Sequence, residues 1–535
     1  MTGVGGLWNA AFAGMMPRRV WESVMAKRAA WILALTAMGV VATAATPARG
    51  AGPATTRAAG ASTRPAVQET NLGNLGAFSE MRQLVVSPDI NHAAILGVRD
   101  KQHLIVLDGK EGPGYEWIIP ESEAFSPDAS RLAFIVQTGA DTLAVIDGKP
   151  EKPYYAIAHN HVYWSRDSKH YAYCAQFKGG GAAVVTDGVE GTQYDLADSP
   201  QFSIDGKRFA FRAARAGKQF MVVDGKEFKA YTKVVEGSAN FGPNSRHLAY
   251  DAVEGGKHLL VMDDQEGKPY DDIGFGPGFS EDGGRVVAVV KQAGKVLVVV
   301  NGKESPPYDR LIAGDFTLSA DGKRIAYGAE KDGNQFVVLD GVPQETFHSL
   351  GNGTLRFSPD CQHVVYQGRT PKGNFIVLDG KHIKQCDSLM NGTPLFSPDS
   401  KRLAYGEQVN GKWRLMVDGV EGKTYDVIES PTFSPDSRRV AYRAVLNEKT
   451  VIVVVDGVES KPLEFCGPLA FSPDSKHIVY VHRRAGSMYL VVDGEEVSGP
   501  YNPASPDLRP MFDDNNTAHL IATRKGEVLR VVVKM

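Results

Sequence analysis

FSPDSRRVAYRAVLNEKTVIVVVD, Phe433 to Asp456 with Gly457 closing it, is the stretch that decides the fold, because the chain from about residue 70 onward consists of copies of it. Pro435 presets φ for a turn, and the Asp436 carboxylate is placed to take backbone N–H groups just beyond it, so the chain reverses at Ser434 to Ser437. Arg439 to Val445 reads as one strand and Val451 to Val455 as a second, buried on both faces. Asp456-Gly457 then signals a hairpin, since a type I′ turn needs φ > 0 at both central residues. The turn residue recurs at Asp89, Asp128, Asp167, Asp205, Asn244, Asp282, Asp321, Asp360, Asp399, Asp436 and Asp474, with Asn515 as a degenerate twelfth, at intervals of 37 to 41 residues. The hairpin signal follows each turn by 19 or 20 residues, with Asp263-Asp264 and Asn301-Gly302 as variants. Seven residues after the hairpin Asp stands a large side chain, such as Tyr154, Tyr270 or Tyr425, marking a third strand; the run into the next Phe-Ser-Pro-Asp marks a fourth. Two fixed phases in one period mean one repeated supersecondary unit.

Four short antiparallel strands in about 40 residues describe a β-propeller blade; a β-solenoid would need shorter rungs and no reversing hairpin in every repeat. FSPDSKRLAY (Phe396 to Tyr405) and FSPDSKHIVY (Phe471 to Tyr480) resemble the WD-repeat-like propeller modules of the TolB type, and the likeness covers nearly all of residues 70 to 535. Val-Asp-Gly or Leu-Asp-Gly stands where WD repeats proper end their third strand in Trp-Asp. The resemblance implies that Thr432 to Ser434 lies on an innermost strand beside the channel and that the strand carrying Tyr425 is outermost. Twelve blades exceed the four to eight typical of one propeller. The expected fold is therefore all-β, two six-bladed rings in tandem over residues 71–310 and 311–535. One large ring is the alternative, since the spacing across 300 to 320 stays at 39 with no linker. The last copy stops about where its hairpin would come, and Asn71 to Ser79 has no blade of its own, so this segment is expected to supply the missing strand.

The whole chain has 535 residues, 43% of them hydrophobic, and a net charge of −3. Its charges are interspersed and no basic block follows the N-terminus, which argues against nucleic acid as a partner. From Met25, the better start, a basic head leads into an apolar run, Ala29 to Val41, and then Ala42-Thr43-Ala44, an Ala-x-Ala cleavage pattern. That run of about 13 residues falls short of the ~20 that a spanning helix needs. Residues 1–44 therefore read as a signal peptide region, 45–70 as a disordered Ala/Thr/Pro-rich linker, and the location as periplasmic or secreted with no membrane span left after cleavage. Cys174, Cys361, Cys386 and Cys466 are expected as buried free thiols, a Cys361–Cys386 disulfide being the alternative.

The repeated acids, Asp128, Asp167, Asp205, Asp321, Asp360, Asp399, Asp436 and Asp474 among them, lack the spaced carboxylates of a calcium loop and read as structural turn residues. No Gly-x-Ser-x-Gly, His-Glu-x-x-His or phosphate loop is present. The expected function is non-catalytic binding of a protein or cell-envelope component, without cofactor or metal; the alternative is a propeller lyase or hydrolase using scattered channel residues. His159 and His161 stand two apart on an innermost strand with no third metal ligand evident, so they read as channel lining. Trp164 and Arg166 replace the usual Phe and Pro of the same copy. On the face opposite the uniform turns and hairpins the loops vary, and Lys178, Lys257, Arg483 and Arg484 there complete the candidate binding residues, whereas Lys149, Lys226 and Lys303 beside the hairpins are not expected to bind.

Overall fold

Every blade is organised by a turn that its own side chains lock. In the tenth copy Ser434 Oγ donates to Asp436 Oδ1 at 2.6 Å and accepts the Arg439 N–H at 2.9 Å, while Asp436 Oδ1 accepts the Arg438 N–H at 3.1 Å. Ser437 takes a φ of 65° to complete the reversal, and at the far hairpin Asp456 and Gly457 have φ of 52° and 80°, the doubly positive pair of a type I′ turn. Four antiparallel strands result: Val427–Phe433, Val440–Asn447, Thr450–Val455 and Val458–Glu459.

The structure is a computed structural model that describes residues 65–390, 392–447, 450–502, 509–513 and 515–535. The expected signal peptide, and the linker up to residue 64, lie outside the described residues. Among the described residues there are twelve sheets of this kind, eleven with their strands in sequence order from the channel outward and the twelfth completed at its outer edge by the first strand of the described chain. In several blades the innermost strand is split in two, as at Ala156–Ile157 and Tyr163–Trp164 of blade 3. No helix among the described residues is long and apolar enough to cross a membrane.

Apolar side chains from the two faces of each sheet fill the wedges between blades. Val298 and Tyr308 of blade 6 pack with Ile325 and Tyr327 of blade 7. Leu72, Ile521 and Val528 of blade 12 pack with Ile90, Ile95 and Leu104 of blade 1. Each remaining neighbouring pair shares a cluster of its own, so the twelve blades close as one ring. This is the large-ring alternative; the expected division into two six-bladed rings near residue 310 is corrected, because the surfaces that would have closed the first six blades on themselves are committed to blades 7 and 12.

The first and last strands close the ring, over different residues than expected. Ala66–Asn74 pairs antiparallel with Glu527–Lys534 as the outermost strand of blade 12, from Ala66 opposite Lys534 to Asn74 opposite Glu527. Residues 66–70, assigned from sequence to the linker, belong to this strand, while Leu75–Ala77 forms a 3-10 turn leading into blade 1. An edge strand needs backbone pairing more than apolar content, and here only Val67 and Leu72 pack towards the core. All four cysteines are free and buried.

Candidate functional site

The turn-and-hairpin face is stitched from blade to blade. The Asp399 N–H donates to Ser437 Oγ of the next blade at 2.9 Å, and the Asp436 N–H to Ser475 Oγ at 2.9 Å; the same bond recurs from Asp128, Asp205 and Asp360 to Ser168, Ser245 and Ser400. From Asp321 it runs to Cys361 Sγ, which explains a cysteine at a turn position. Arg439 ties the system together: Nε binds the hairpin carboxylate of Asp456 at 3.0 Å, Nη1 donates to the Lys476 carbonyl of the next blade at 2.8 Å, and the guanidinium lies 5.3 Å from the Phe471 ring centre. Arg131, Arg208, Arg324 and Arg402 pair with their hairpin Asp in the same way; His92, His170, His247, His363 and His477 do so in other blades. The Ser hydroxyls hold the turn carboxylates below the usual range, as Ser434 does for Asp436.

The opposite face is fastened as well, more than its variable loops suggest. Lys257 binds Asp271 at 2.5 Å, and the other Asp271 oxygen accepts the Ala293 N–H of the next blade at 2.7 Å. Arg484 pairs with Glu496 at 2.9 Å and lies over Tyr489, and Arg483 lies over Phe465. Trp164, by contrast, lies at the stitched face in the position of Phe471: it donates Nε1–H to the Ala124 carbonyl of blade 2 at 3.1 Å and takes Arg131 on its ring, so it joins two blades. Of the expected binding residues, His159, Arg166 and Lys178 are exposed and His161 is half-buried. Arg166 sits in a turn on the stitched face, while Lys178, Lys257 and the two arginines are spread over blades 3, 5 and 11. They do not form one site.

Chemistry gathers instead on the inner wall of blades 3 to 5. His159 takes a φ of 59° in the short 3-10 turn Ala158–Asn160 that splits the innermost strand of blade 3. The His161 ring then meets Tyr163 edge-on at 4.8 Å. Burial pushes the His161 pKa down, and burial with the Cys174, Asp198 and Glu236 charges pushes the Tyr163 phenol up to about 12. In blade 4 Arg212 grips buried Asp198 with two bonds, Nε to Oδ1 at 2.7 Å and Nη2 to Oδ2 at 2.5 Å, and reaches blade 5 through the Val234 carbonyl at 3.0 Å and Glu236 at 3.2 Å. Ser199, beside Asp198, has a φ of 52° and lies at a bulge in its strand. Sequence reading found the histidines and missed Tyr163, Asp198, Ser199, Arg212 and Glu236. A usable signal existed, because Arg212 and Arg443 both stand nine residues after a turn serine, in a phase otherwise without arginine. No group of three or more metal-ligating side chains occurs among the described residues.

The fold is thus that of a twelve-bladed β-propeller with a polar cluster on its channel wall. No family model matches the chain, and no curated protein matches it. Among solved structures it is similar to a eukaryotic initiation factor (14% identity, TM-score 0.31, covering 68% of this chain and 97% of that one). It is also similar to TolB from Acinetobacter baumannii (14% identity, TM-score 0.23, covering 54% of this chain and 78% of that one). At these scores neither likeness bears on function.

Proposed function

We propose that the protein is an exported, non-catalytic recognition scaffold that binds a protein or cell-envelope component through its channel wall. The observation that carries this is the contrast between two kinds of polar residue. Around the stitched face each turn carboxylate and hydroxyl is spent within the fold, whereas His159, His161 and Tyr163 have no hydrogen-bond or ion-pair partner among the described residues. A rigid frame holding unspent polar groups in a concave wall suits recognition. Export rests on the segment from Met25 to Ala44, which lies outside the described residues. A second reading, a propeller lyase or hydrolase, is favoured by the imidazole of His161 against the Tyr163 phenol, a pair suited to proton transfer.

The test is capture from the envelope fraction of the source cells by the immobilised full chain. Wild type should retain a component that a His159→Ala, His161→Ala double variant releases and a Lys226→Ala variant keeps. Equal retention by all three would exclude the channel wall, and turnover of a captured glycan or peptide lost with His161 would favour the enzyme.

A further inference from the structure

The ring contains its own internal control for what the inner wall needs. In blades 1 to 5 the innermost strands run continuous, split, split, continuous, split, and blades 7 to 11 repeat that order. Blades 4 and 10, six apart, match in detail. Asp198-Ser199-Pro200 and Glu429-Ser430-Pro431 share the left-handed serine, φ 52° and 50°, and the same bulge. Arg443 repeats Arg212, binding Glu429 at 3.0 Å and the Cys466 carbonyl of the next blade at 2.6 Å. Present twice, the acid–arginine bridge is framework.

Subtracting it leaves what is peculiar to blades 3 to 5. His161 and Tyr163 stand where blade 9 has Thr393 and Leu395, and Glu236 lies two residues past Val234, the counterpart of Cys466, in a loop where blade 11 has Gly467-Pro468-Leu469 and no acid. The two counterparts in blade 9 are consumed by the fold: Thr393 Oγ1 donates to the Met390 carbonyl at 2.8 Å and accepts the Gly406 N–H at 3.3 Å, and Leu395 packs in a core cluster. His161, Tyr163 and the Ser199 hydroxyl have no partner among the described residues, and Glu236, 57% exposed at its side chain, is held by one oxygen only. The strands that carry these groups pack together, Tyr163–Trp164 against Leu196–Phe202.

We propose that this stretch of wall is a binding site for a neutral, polyhydroxylated ligand, a glycan segment of the envelope partner. The proposal rests on the scaffold reading above and names its ligand. The unpartnered groups are a half-buried phenol, imidazole and hydroxyl, the last shared with Ser430 of blade 10, each able to donate and accept, beside the exposed carboxylate of Glu236 that accepts, the set that a run of sugar hydroxyls satisfies. Asp198 and Arg212 cancel, so the cluster keeps one negative charge and disfavours phosphorylated, sulfated or uronic ligands. That charge is shared with Arg212 at 3.2 Å, which makes Glu236 an acceptor for hydroxyls more than a seat for a cation.

The experiment is calorimetric titration of the full chain with soluble neutral oligosaccharides of glucose, mannose, xylose and N-acetylglucosamine, with hexalysine as the competing class. One sugar series should bind, and Tyr163→Phe, His161→Gln and Glu236→Gln should each weaken it about tenfold, the loss of one hydrogen bond. Ser430→Ala in the matching blade should leave affinity unchanged. Melting temperatures of the same variants separate lost binding from lost folding, and the two near-isosteric changes keep the test available if Glu236→Gln unfolds. Absence of binding by every series, or binding indifferent to Tyr163→Phe and His161→Gln, overturns the proposal. Hexalysine binding that Glu236→Gln abolishes also overturns it, in favour of a basic protein segment. If envelope capture persists while no sugar binds, the scaffold reading stands and only the ligand assignment falls.

Discussion

Ser437 shows how much one side chain does in this molecule. Its hydroxyl accepts the Asp399 N–H of the preceding blade in a half-buried position, and Ala in its place strands that donor. Ser437→Ala should cost about 1–3 kcal/mol in urea unfolding, whereas Ser430→Ala, at an exposed channel position, should stay within about 0.5 kcal/mol. Asp315 makes the pH prediction. Burial raises its pKa to about 7 against the bonds it accepts from blade 8, among them the Leu355 N–H at 3.3 Å. Between the ordinary carboxylate pKa and 7 the unfolded chain has lost this proton and the folded chain keeps it, so stability is full at low pH and falls as pH rises through 7. The fall should be on the order of 3 kcal/mol, and Asp315→Asn should flatten it in denaturation curves run from pH 5 to 8. The turn acids were legible in the sequence because the same chemistry returns in every period. The Asp198–Arg212 pair was harder to read, because it departs from the repeat in one blade of each half and its only trace is an arginine that returns once, at Arg443.

At the scale of the strand, the closing element Ala66–Asn74 carries an interaction the other blades make within the repeat. Tyr154, Tyr270 and Tyr425 each donate to a glutamate on the outermost strand of the next blade, Glu190, Glu304 and Glu459. Tyr501 makes the same bond to Glu69 at 2.8 Å, joined by Arg524 at 2.5 Å. Burial pushes Glu69 up, but the bonds from Arg524, Tyr501 and Ser498 outweigh it and hold the pKa low. Glu69→Ala should cost about 1–3 kcal/mol by the loss of charge-assisted bonds. Removing residues 65–74 altogether should lower the melting temperature by several degrees, and an unchanged temperature would show that the strand only decorates the edge. That a terminal segment closes the last blade could be read from two incomplete ends. Its boundaries could not, since alternating polar residues pair through their backbone and give the sequence nothing to distinguish them from a tether.

For the whole molecule the repeat fixed the number of blades, while the number of rings depended on wedge packing that each blade forms alike with any neighbour. Nothing in a single blade states which partner it meets; the packing of Val298 on Ile325 and of Ile521 on Ile95 does. Ile325→Ala should therefore raise hydrogen exchange on both sides of residue 310, in Lys295–Val300 as well as Asn334–Leu339, and cost about 2–5 kcal/mol. Exchange confined to the second half would mean that the halves are independent.

The seam between Ala66–Asn74 and Glu527–Lys534 also sets an order in time. Glu69 and Arg524 are 455 residues apart in the chain, so joining them costs about 4 kcal/mol more loop entropy than closing a four-residue hairpin. Local hairpins and then neighbouring blades condense first, as an open arc, and the seam forms last. Loss of that one strand pair reopens the ring, so the closure of all twelve blades rests on a single seam.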